Sequence, residues 1–227
     1  MSQVDGAERR VFPDPRSVRR AAGGAGSPVA AALADELAAG PSPRTVVLVE
    51  GISDQVAVRT LAARQGRDLR AEGTAVLPMG GATSIARFLE VLGPAPGVAL
   101  AGLCDAAEED YFRRGLERAG LLAAGLPPTR ATLAGLGFFV CEADLEEELI
   151  RALGADRVVR VVEAEGDLPP LRTFRKQPAQ QGRTLEQQLR RFLGTTSGRK
   201  IHYARVLVEQ LDPADPPPPL RGLLAHL

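Results

Sequence analysis

Two patterns of hydrophobic and polar residues alternate along the chain. Short apolar runs rich in β-branched residues predict four strands, at residues 45–49, 74–78, 97–104 and 136–141. After each run, apolar residues recur every three or four positions, which predicts helices at residues 53–65, 84–92, 109–123 and 145–153. Strands that alternate with helices are typical of a parallel sheet with right-handed crossovers, so the sequence predicts an α/β fold.

The segments that flank this region carry different patterns. Residues 1–26 contain prolines and a run of Ala and Gly, which favours a flexible segment, and a short helix is predicted from Ser27 to about Gly40. Residues 156–163 are rich in valine and favour a further strand at a sheet edge. From Pro170 onward the pattern becomes helical.

Capping residues mark the helices of the C-terminal part. Thr184 and Gln187 form a capping box before one helix, Ser197 is expected to cap a second, and residues 220–227 form either a short helix or a docking tail. We therefore divide the chain into three predicted parts. They are a flexible segment with a short helix at residues 1–43, an α/β domain at residues 44–165 and a helical C-terminal extension at residues 166–227.

Composition and charge exclude few functions. Lys plus Arg and Asp plus Glu both number 28, so bulk charge gives no argument for nucleic-acid binding, although a local patch remains open. The sequence has no apolar run that could span a bilayer and no signal-peptide core, so we expect a cytoplasmic protein without a membrane partner. Cys104 and Cys141 lack metal-like spacing and are expected to be buried apolar residues, and His202 and His226 fit no catalytic pattern.

Acidic residues follow three of the four predicted strands. Glu50 comes directly after the first strand, and Asp54 lies one helical turn later. The others follow the third and fourth strands and are Asp105, Glu108, Glu142, Asp144 and Glu146. Because the carboxyl ends of parallel strands meet at one edge of a sheet, we expect these side chains to converge. Hard oxygen ligands without His or Cys suit Mg²⁺ or Mn²⁺, and such ions, alone or as a pair about 3.5–4 Å apart, assist phosphoryl transfer.

Several of these acids also have a purely structural explanation. Asp54 and the acids at residues 108–110 are favoured in the first turn of a helix by the helix dipole. Asp144 and Glu147 fit a capping box. Glu50 is harder to explain in this way, because a carboxylate at the end of a buried strand is costly unless it is solvated, paired or bound to a metal.

Glycines at the same predicted edge suggest a phosphate site. Gly51 follows Glu50, and Gly80 and Gly81 follow the second strand, where backbone N–H groups can face a phosphate. The same glycines before Thr83 also fit an ordinary tight turn, so a purely structural role stays open.

Taken together, the segment from Val49 to Asp54 (Val-Glu-Gly-Ile-Ser-Asp), the Gly80-Gly81 pair and Asp105 at a strand end resemble the toprim domain. Toprim domains have a Rossmann-like parallel sheet and occur in topoisomerases, DnaG-type primases and the OLD (overcoming lysogenisation defect) nucleases. The Val-Glu-Gly-x-Ser-Asp form and the segment from Asp144 to Leu149 are most similar to the OLD branch. The resemblance covers roughly residues 44–155.

The resemblance implies a set of roles. Metal ligands would be Glu50, Asp54, Asp105, Glu108, Asp144 and Glu146, with Glu50, Asp105 and Lys200 as catalytic residues. Glu50 would act as a ligand or as the general base. The OLD branch uses a lysine beyond the core, for which Lys200 is the first candidate and Lys176 the second. Arginines are candidates for contacts to a nucleic-acid backbone, namely Arg113, Arg114, Arg190, Arg191 and Arg199.

Two features depart from the family pattern. The third-strand motif is usually Asp-x-Asp, but here the second acid is replaced by Ala107, with Glu108 one residue later. The number of metal ions that the site binds, one or two, therefore stays open, as does whether the site is active or degenerate. OLD proteins also carry an ABC-type ATPase domain, and this sequence contains no P-loop motif, so an ATPase would have to come from a separate polypeptide.

The expected function is metal-dependent hydrolysis of phosphodiester bonds in DNA or RNA, which the resemblance connects with phage defence or DNA repair. Two alternatives stay open: a catalytically degenerate toprim-like interaction module, and a nucleotidyl transferase or nucleotide-binding protein. The oligomeric state, including a homodimer, is also open.

Overall fold

The computed structural model describes residues 14–21, 28–38, 42–93, 97–122 and 129–227. At its centre is a parallel sheet of four strands, in the spatial order β2-β1-β3-β4. The strands are β1 (Thr45–Val49), β2 (Thr74–Pro78), β3 (Ala99–Asp105) and β4 (Phe138–Cys141). Each predicted strand is present with its ends shifted by at most two residues, and the α/β fold class is confirmed.

Helices flank both faces of this sheet. Those in the described residues are α1 (Pro15–Ala21), α2 (Pro28–Ala38), α3 (Ile52–Arg64), α4 (Ile85–Leu92), α5 (Glu109–Arg118), α6 (Arg130–Gly135), α7 (Leu145–Leu153), α8 (Ala155–Ala164), α9 (Leu168–Arg175), α10 (Leu185–Leu193), α11 (Ser197–Gln210) and α12 (Pro218–His226). Short 3-10 helices lie at Ala82–Ser84, Ala106–Glu108 and Pro178–Gln180. Each predicted helix is present, but α5 ends at Arg118, and residues 119–122 of its predicted range are not helical. Helices α6 and α9 were not predicted.

Three local predictions were wrong. Residues 155–164 form α8 and not an edge strand, because Val158, Val161 and Val162 have helical spacing and all face the core. Part of the N-terminal segment predicted to be flexible is helix α1, whose Val18 is fully buried; residues 1–13 and 22–27 lie outside the described residues. Finally, Thr196 and not Ser197 caps α11, with its hydroxyl accepting a hydrogen bond from the Arg199 N–H.

The sheet is buried on both faces, as its continuous apolar strands predict. Successive residues of a strand point to opposite sides. In β1, Val47 and Val49 therefore pack in one core, and Val46 and Leu48 pack in the other. Fully burying one such side chain contributes about 1.5–3 kcal/mol. The strands are thus held rigidly, and residues at their carboxyl ends have well-defined positions.

The C-terminal helices complete the core on the side of Val47. Tyr203 and Leu207 of α11 and Leu189 of α10 are buried in the same cluster as Val47, and α11 packs along α3. Helix α12 covers β3 and β4. The division of the chain at residue 166 stays a prediction, although this core is shared across it. No helix in the described residues is long and apolar enough to cross a membrane.

Candidate active site

The ends of β1 and β3 bring Glu50 and Asp105 to one edge of the sheet. Val49 pairs with Leu103, so these two acids extend from neighbouring strands. β2 and β3 lie on opposite sides of β1, and the strand order therefore reverses at this point, which is where open α/β folds bind ligands. Both side chains are half-buried. Neither carboxylate has a hydrogen-bond or ion-pair partner within the described ranges.

Asp54 has both a structural and an electrostatic position in this cluster. It lies in the first turn of α3, where its Oδ2 accepts a hydrogen bond from the Gly51 N–H at 2.9 Å. Gly51 is the N-cap of this helix. Asp54 is only 7% exposed, and burial raises its pKa even though Lys200 lies near enough to oppose the effect.

The start of α7 brings two further acids to the cluster. Asp144 caps α7 by accepting a hydrogen bond from the Glu147 N–H at 2.8 Å, which confirms the predicted cap. The reciprocal bond of the predicted capping box is not formed, because the Glu147 side chain pairs with Arg151. The second oxygen of Asp144 accepts a hydrogen bond from Arg190 Nε at 2.6 Å, which was not predicted. Glu146, 6% exposed, forms an ion pair with Lys200, whose Nζ lies 3.4 Å from Oε2. Asp144 therefore caps α7 and also lies among the acids of the cluster.

Lys200 is a cation shared by the cluster. It lies in the first turn of α11, which packs along α3 and also contacts α7. Burial alone would lower its pKa, but the surrounding carboxylates outweigh burial, and the pKa is raised; Glu146 contributes most, followed by Asp54 and Asp105. Lys200 is therefore protonated at neutral pH. Lys176, the second candidate, is an exposed residue at the end of α9.

The carboxylates resist ionisation. Burial raises the pKa of Asp105 to about 8, and the neighbouring charges of Asp54 and Glu50 add to the effect. Burial likewise raises the pKa of Glu146 to about 7, partly opposed by Lys200. The pKa of Glu50 is raised first by burial and then by Asp54 and Glu108. The site therefore holds more acidic groups than its own cations neutralise, which favours binding of a further cation.

Glu108 is half-buried and follows Asp105 on the chain. Its charge raises the pKa of Glu50, which places it within electrostatic reach of that carboxylate. Ala107 is exposed and has no ligand atom in its side chain. Glu142, which was expected to converge with these acids, is exposed and pairs with Arg151, which also binds Glu147 and Glu148.

The three glycine N–H groups proposed to face a phosphate are used within the protein. The N–H groups of Gly80 and Gly81 donate to the Glu50 carbonyl oxygen at 3.0 and 3.1 Å, and the Gly51 N–H donates to Asp54. These bonds fix the backbone on either side of Glu50. The phosphate-binding role of Gly51, Gly80 and Gly81 stays a prediction, without free N–H groups to support it.

Other candidates separate clearly from the cluster. Cys104 and Cys141 are buried, and burial raises the pKa of each thiol, as expected for apolar core residues. His202 bonds to Glu165 at 2.7 Å, and His226 packs edge-on against Phe139. Among the arginines, Arg113 is paired with Asp110 and Glu117, and Arg114 stacks over Tyr111.

The chemistry of the donors fits a divalent metal. Carboxylate oxygens are the ligands that Mg²⁺ and Mn²⁺ prefer, and those of Glu50 and Asp105 have no protein partner in the described ranges. In the same ranges, no three His, Cys, Asp or Glu side chains are already arranged closely enough to hold an ion. Metal binding by Glu50, Asp54, Asp105, Glu108, Asp144 and Glu146 therefore stays a prediction that the donor chemistry supports.

Comparison with known proteins agrees with this fold. Residues 43–106 match the family model of the overcoming lysogenization defect protein-like TOPRIM domain. One structure of the C-terminal region of the Xanthomonas campestris pv. campestris OLD protein has 25% identity and a TM-score of 0.61, covering 81% of this chain and 91% of that one. A second structure of that region has 24% identity and a TM-score of 0.61, covering 81% and 94%.

The same fold occurs in a second organism. The C-terminal region of the Burkholderia pseudomallei OLD protein has 20% identity and a TM-score of 0.58, covering 81% of this chain and 96% of that one. A comparison with curated protein sequences gives no significant match. Residues 43–106 are therefore an OLD-like TOPRIM domain, within a chain that has the fold of the C-terminal regions of OLD proteins.

Proposed function

We propose that this protein is a Mg²⁺- or Mn²⁺-dependent endonuclease that hydrolyses phosphodiester bonds of nucleic acid. The observation that carries the proposal is the pair of half-buried carboxylates, Glu50 and Asp105, which lack protein partners in the described ranges and lie near the protonated Lys200. Their surroundings disfavour negative charge, so a divalent cation stabilises them strongly. The toprim fold supports a nuclease role for this edge of the sheet.

Each residue has a role in the proposed reaction. Glu50, Asp54, Asp105, Asp144 and Glu146 would hold the metal, with Glu108 in support. When bound, the ion would polarise the phosphate and lower the pKa of a water molecule. Glu50 is alternatively the general base, because its raised pKa brings it closer to the neutral range in which a base is most effective.

The cations of the site would act on the phosphate. The oxygen of the attacking water forms a bond to phosphorus, and its proton passes to the base. The bond from phosphorus to the leaving strand breaks, and the leaving oxygen takes up a proton from solvent. Negative charge increases on the phosphate oxygens during this step, and Lys200 would stabilise it, since it stays protonated at neutral pH. Arg190, held by Asp144, is a second cation at the same place.

A cleavage assay tests this function. Supercoiled plasmid and total tRNA are incubated with Mg²⁺ or Mn²⁺ and with wild type, Glu50→Ala or Glu90→Ala; Glu90 is an exposed glutamate on α4 and serves as the matched control. We expect metal-dependent cleavage by wild type and Glu90→Ala, and a loss of at least 100-fold in Glu50→Ala. The preferred substrate would distinguish DNA from RNA. Equal cleavage by Glu50→Ala and wild type would contradict the proposal.

One observation favours a second function, that of a degenerate interaction module. The exposed Ala107 supplies no side-chain ligand where the family pattern has an acid. A degenerate module should show no stabilisation by Mn²⁺ in a thermal unfolding experiment. The nucleotide-binding alternative has less support, because the N–H groups of Gly80 and Gly81 donate to the Glu50 carbonyl.

The partners expected from the sequence stay proposals. A separate ABC-type ATPase would couple nucleotide hydrolysis to cleavage in phage defence or DNA repair. Co-purification of this chain with an ATPase from its native host would support this partner. Purification of the chain without any ATPase would count against it. Light scattering during size-exclusion chromatography would decide whether the chain is a homodimer.

A further inference from the structure

A cleft of about 550 Å³ opens beside the carboxylate cluster. It lies between α9 and α10, and we call it the α10 cleft. Its lining includes Asp144, Phe174, Arg183, Gln187, Arg190 and Arg191. Asp144 belongs to both the cleft and the cluster, so a ligand in the cleft would reach the candidate active site.

The α10 cleft carries positive charge that the protein does not neutralise. Arg190 is paired with Asp144, but Arg183 donates only to the Ala179 carbonyl, from Nε, and has no carboxylate partner in the described ranges. Within the same ranges, Arg191 has no hydrogen bond or ion pair. Both side chains belong to exposed residues. Guanidinium groups without a carboxylate partner in the described ranges suit phosphate groups.

An aromatic side chain lies in the same cleft. Phe174 is half-buried, and its ring packs against Phe192 with a centroid distance of 5.6 Å and an interplanar angle of 59°. Phe192 therefore supports the Phe174 ring. The Phe192 ring is in turn covered by the Arg199 guanidinium, whose carbon lies 4.3 Å from the Phe192 centroid. A fixed aromatic ring that lines a cleft gives a nucleobase a surface for stacking.

The size of the cleft restricts the ligand. A volume of about 550 Å³ lies in the range of small-molecule pockets, roughly 300–1,000 Å³. An unpaired nucleotide can enter such a space, whereas a base in a duplex is stacked and paired and cannot reach a ring inside it.

We propose that the α10 cleft binds unpaired nucleotides of the substrate strand next to the scissile phosphate. Arg183 and Arg191 contact the phosphates, and Phe174 stacks on a base. The proposal rests on the proposed nuclease function and names its substrate class, a single-stranded phosphodiester chain or an unpaired end. The chemistry is shared by DNA and RNA, which the test separates.

The test measures binding separately from cleavage. Fluorescence anisotropy is recorded with labelled 12-nucleotide oligo-dT, 12-nucleotide oligo-U and a 12-base-pair blunt duplex, in Ca²⁺, with intact probes confirmed on a denaturing gel. The variants are Arg183→Ala/Arg191→Ala and Phe174→Leu. The control is Arg157→Ala/Arg160→Ala, which removes the same charge from two exposed positions of α8 that do not line the cleft.

Wild type is expected to bind a single strand at least tenfold more tightly than the duplex. The cleft double variant should weaken single-strand binding at least tenfold and reduce the slope of log K against log salt by about 1.4, for two phosphate contacts. Phe174→Leu should weaken binding about fivefold or more without changing this slope. The control should bind within twofold of wild type. Tighter binding of oligo-dT or oligo-U would identify DNA or RNA as the substrate.

Two results would overturn the proposal. Duplex binding as tight as single-strand binding would exclude selection of unpaired strands, and equal binding by the cleft variant and its control would exclude the α10 cleft. Both results leave the nuclease function intact if plasmid or tRNA cleavage still depends on metal and Glu50. Failure of wild type both to bind any probe and to cleave would overturn the nuclease function as well.

Discussion

Asp105→Asn removes a charge that the metal-free site does not stabilise. Asparagine has almost the same shape as aspartate, so packing at the end of β3 is retained. Burial and the neighbouring Asp54 and Glu50 raise the pKa of Asp105 from 3.8 to about 8. Because this pKa is raised in the folded state, the contribution of Asp105 to stability is fully present below its ordinary pKa. It is lost as the pH rises through about 8.

The magnitude follows from this difference in pKa. A rise from 3.8 to about 8 corresponds to a ceiling of roughly 6 kcal/mol, at 1.36 kcal/mol for each pH unit. Asp105 is half-buried and not fully buried, and solvent screening reduces this value to about 2 kcal/mol. For a chain of this length, that free energy corresponds to an increase in Tm of roughly 4–8 °C for Asp105→Asn at pH 8.5.

Urea unfolding at pH 4 and pH 8.5, in EDTA, measures the effect. Asp105→Asn should exceed wild type in unfolding free energy by about 2 kcal/mol at pH 8.5 and by much less at pH 4, close to the ordinary pKa of an aspartate. Asp156→Asn, at an exposed position in the first turn of α8, is the matched control and should show no such pH-dependent gain. A gap between Asp105→Asn and wild type that is equal at both pH values, or a variant less stable at pH 8.5, would refute the reasoning.

Three further predictions concern Lys200, the metal and the sheet. Lys200→Met leaves Glu146 buried without its cation and should lower the unfolding free energy, measured in urea at pH 7.5, by about 1–2 kcal/mol. The same variant should cleave nucleic acid at least 100-fold more slowly, whereas the control Lys176→Met should change neither stability nor cleavage. Mn²⁺ at 100 times its Kd should stabilise wild type by about 2.7 kcal/mol in thermal unfolding, reversibly with EDTA, and Asp54→Asn should reduce this gain. Gly102→Ala would place a Cβ 2.7 Å from Phe138 Cδ1 and 2.9 Å from the Leu48 carbonyl oxygen, which should cost about 1–3 kcal/mol of unfolding free energy. Gly198→Ala, which meets nothing within 4 Å in α11, should be neutral or stabilising, and an equal loss in both variants would contradict the packing argument.

The position of Glu50 and Asp105 could be predicted from the sequence because it depends on local patterns. A buried apolar strand that ends at an acid places that acid at the carboxyl edge of the sheet. Parallel pairing of β1 and β3 then brings the ends of the two strands, and so the two acids, together. Asp144 could also be predicted as a helix cap from the following residues.

Contacts between distant segments could not be predicted from local patterns. The bond from Arg190 to Asp144 and the ion pair of Lys200 with Glu146 depend on how α10 and α11 fold back over the sheet. Lys200 was selected only through the resemblance to the OLD branch. The valines of α8 were misassigned because a short run of valines fits both a strand and one face of a helix.

The central claim, a divalent-metal site at the carboxyl edge of the sheet, is tested most directly by anomalous X-ray diffraction from crystals grown with Mn²⁺. The account predicts an anomalous peak at about 2.0–2.6 Å from carboxylate oxygens of Glu50 and Asp105, and no such peak in Glu50→Ala crystals. Crystals of wild type without a peak at this cluster, or with Mn²⁺ bound only elsewhere on the protein, would contradict it.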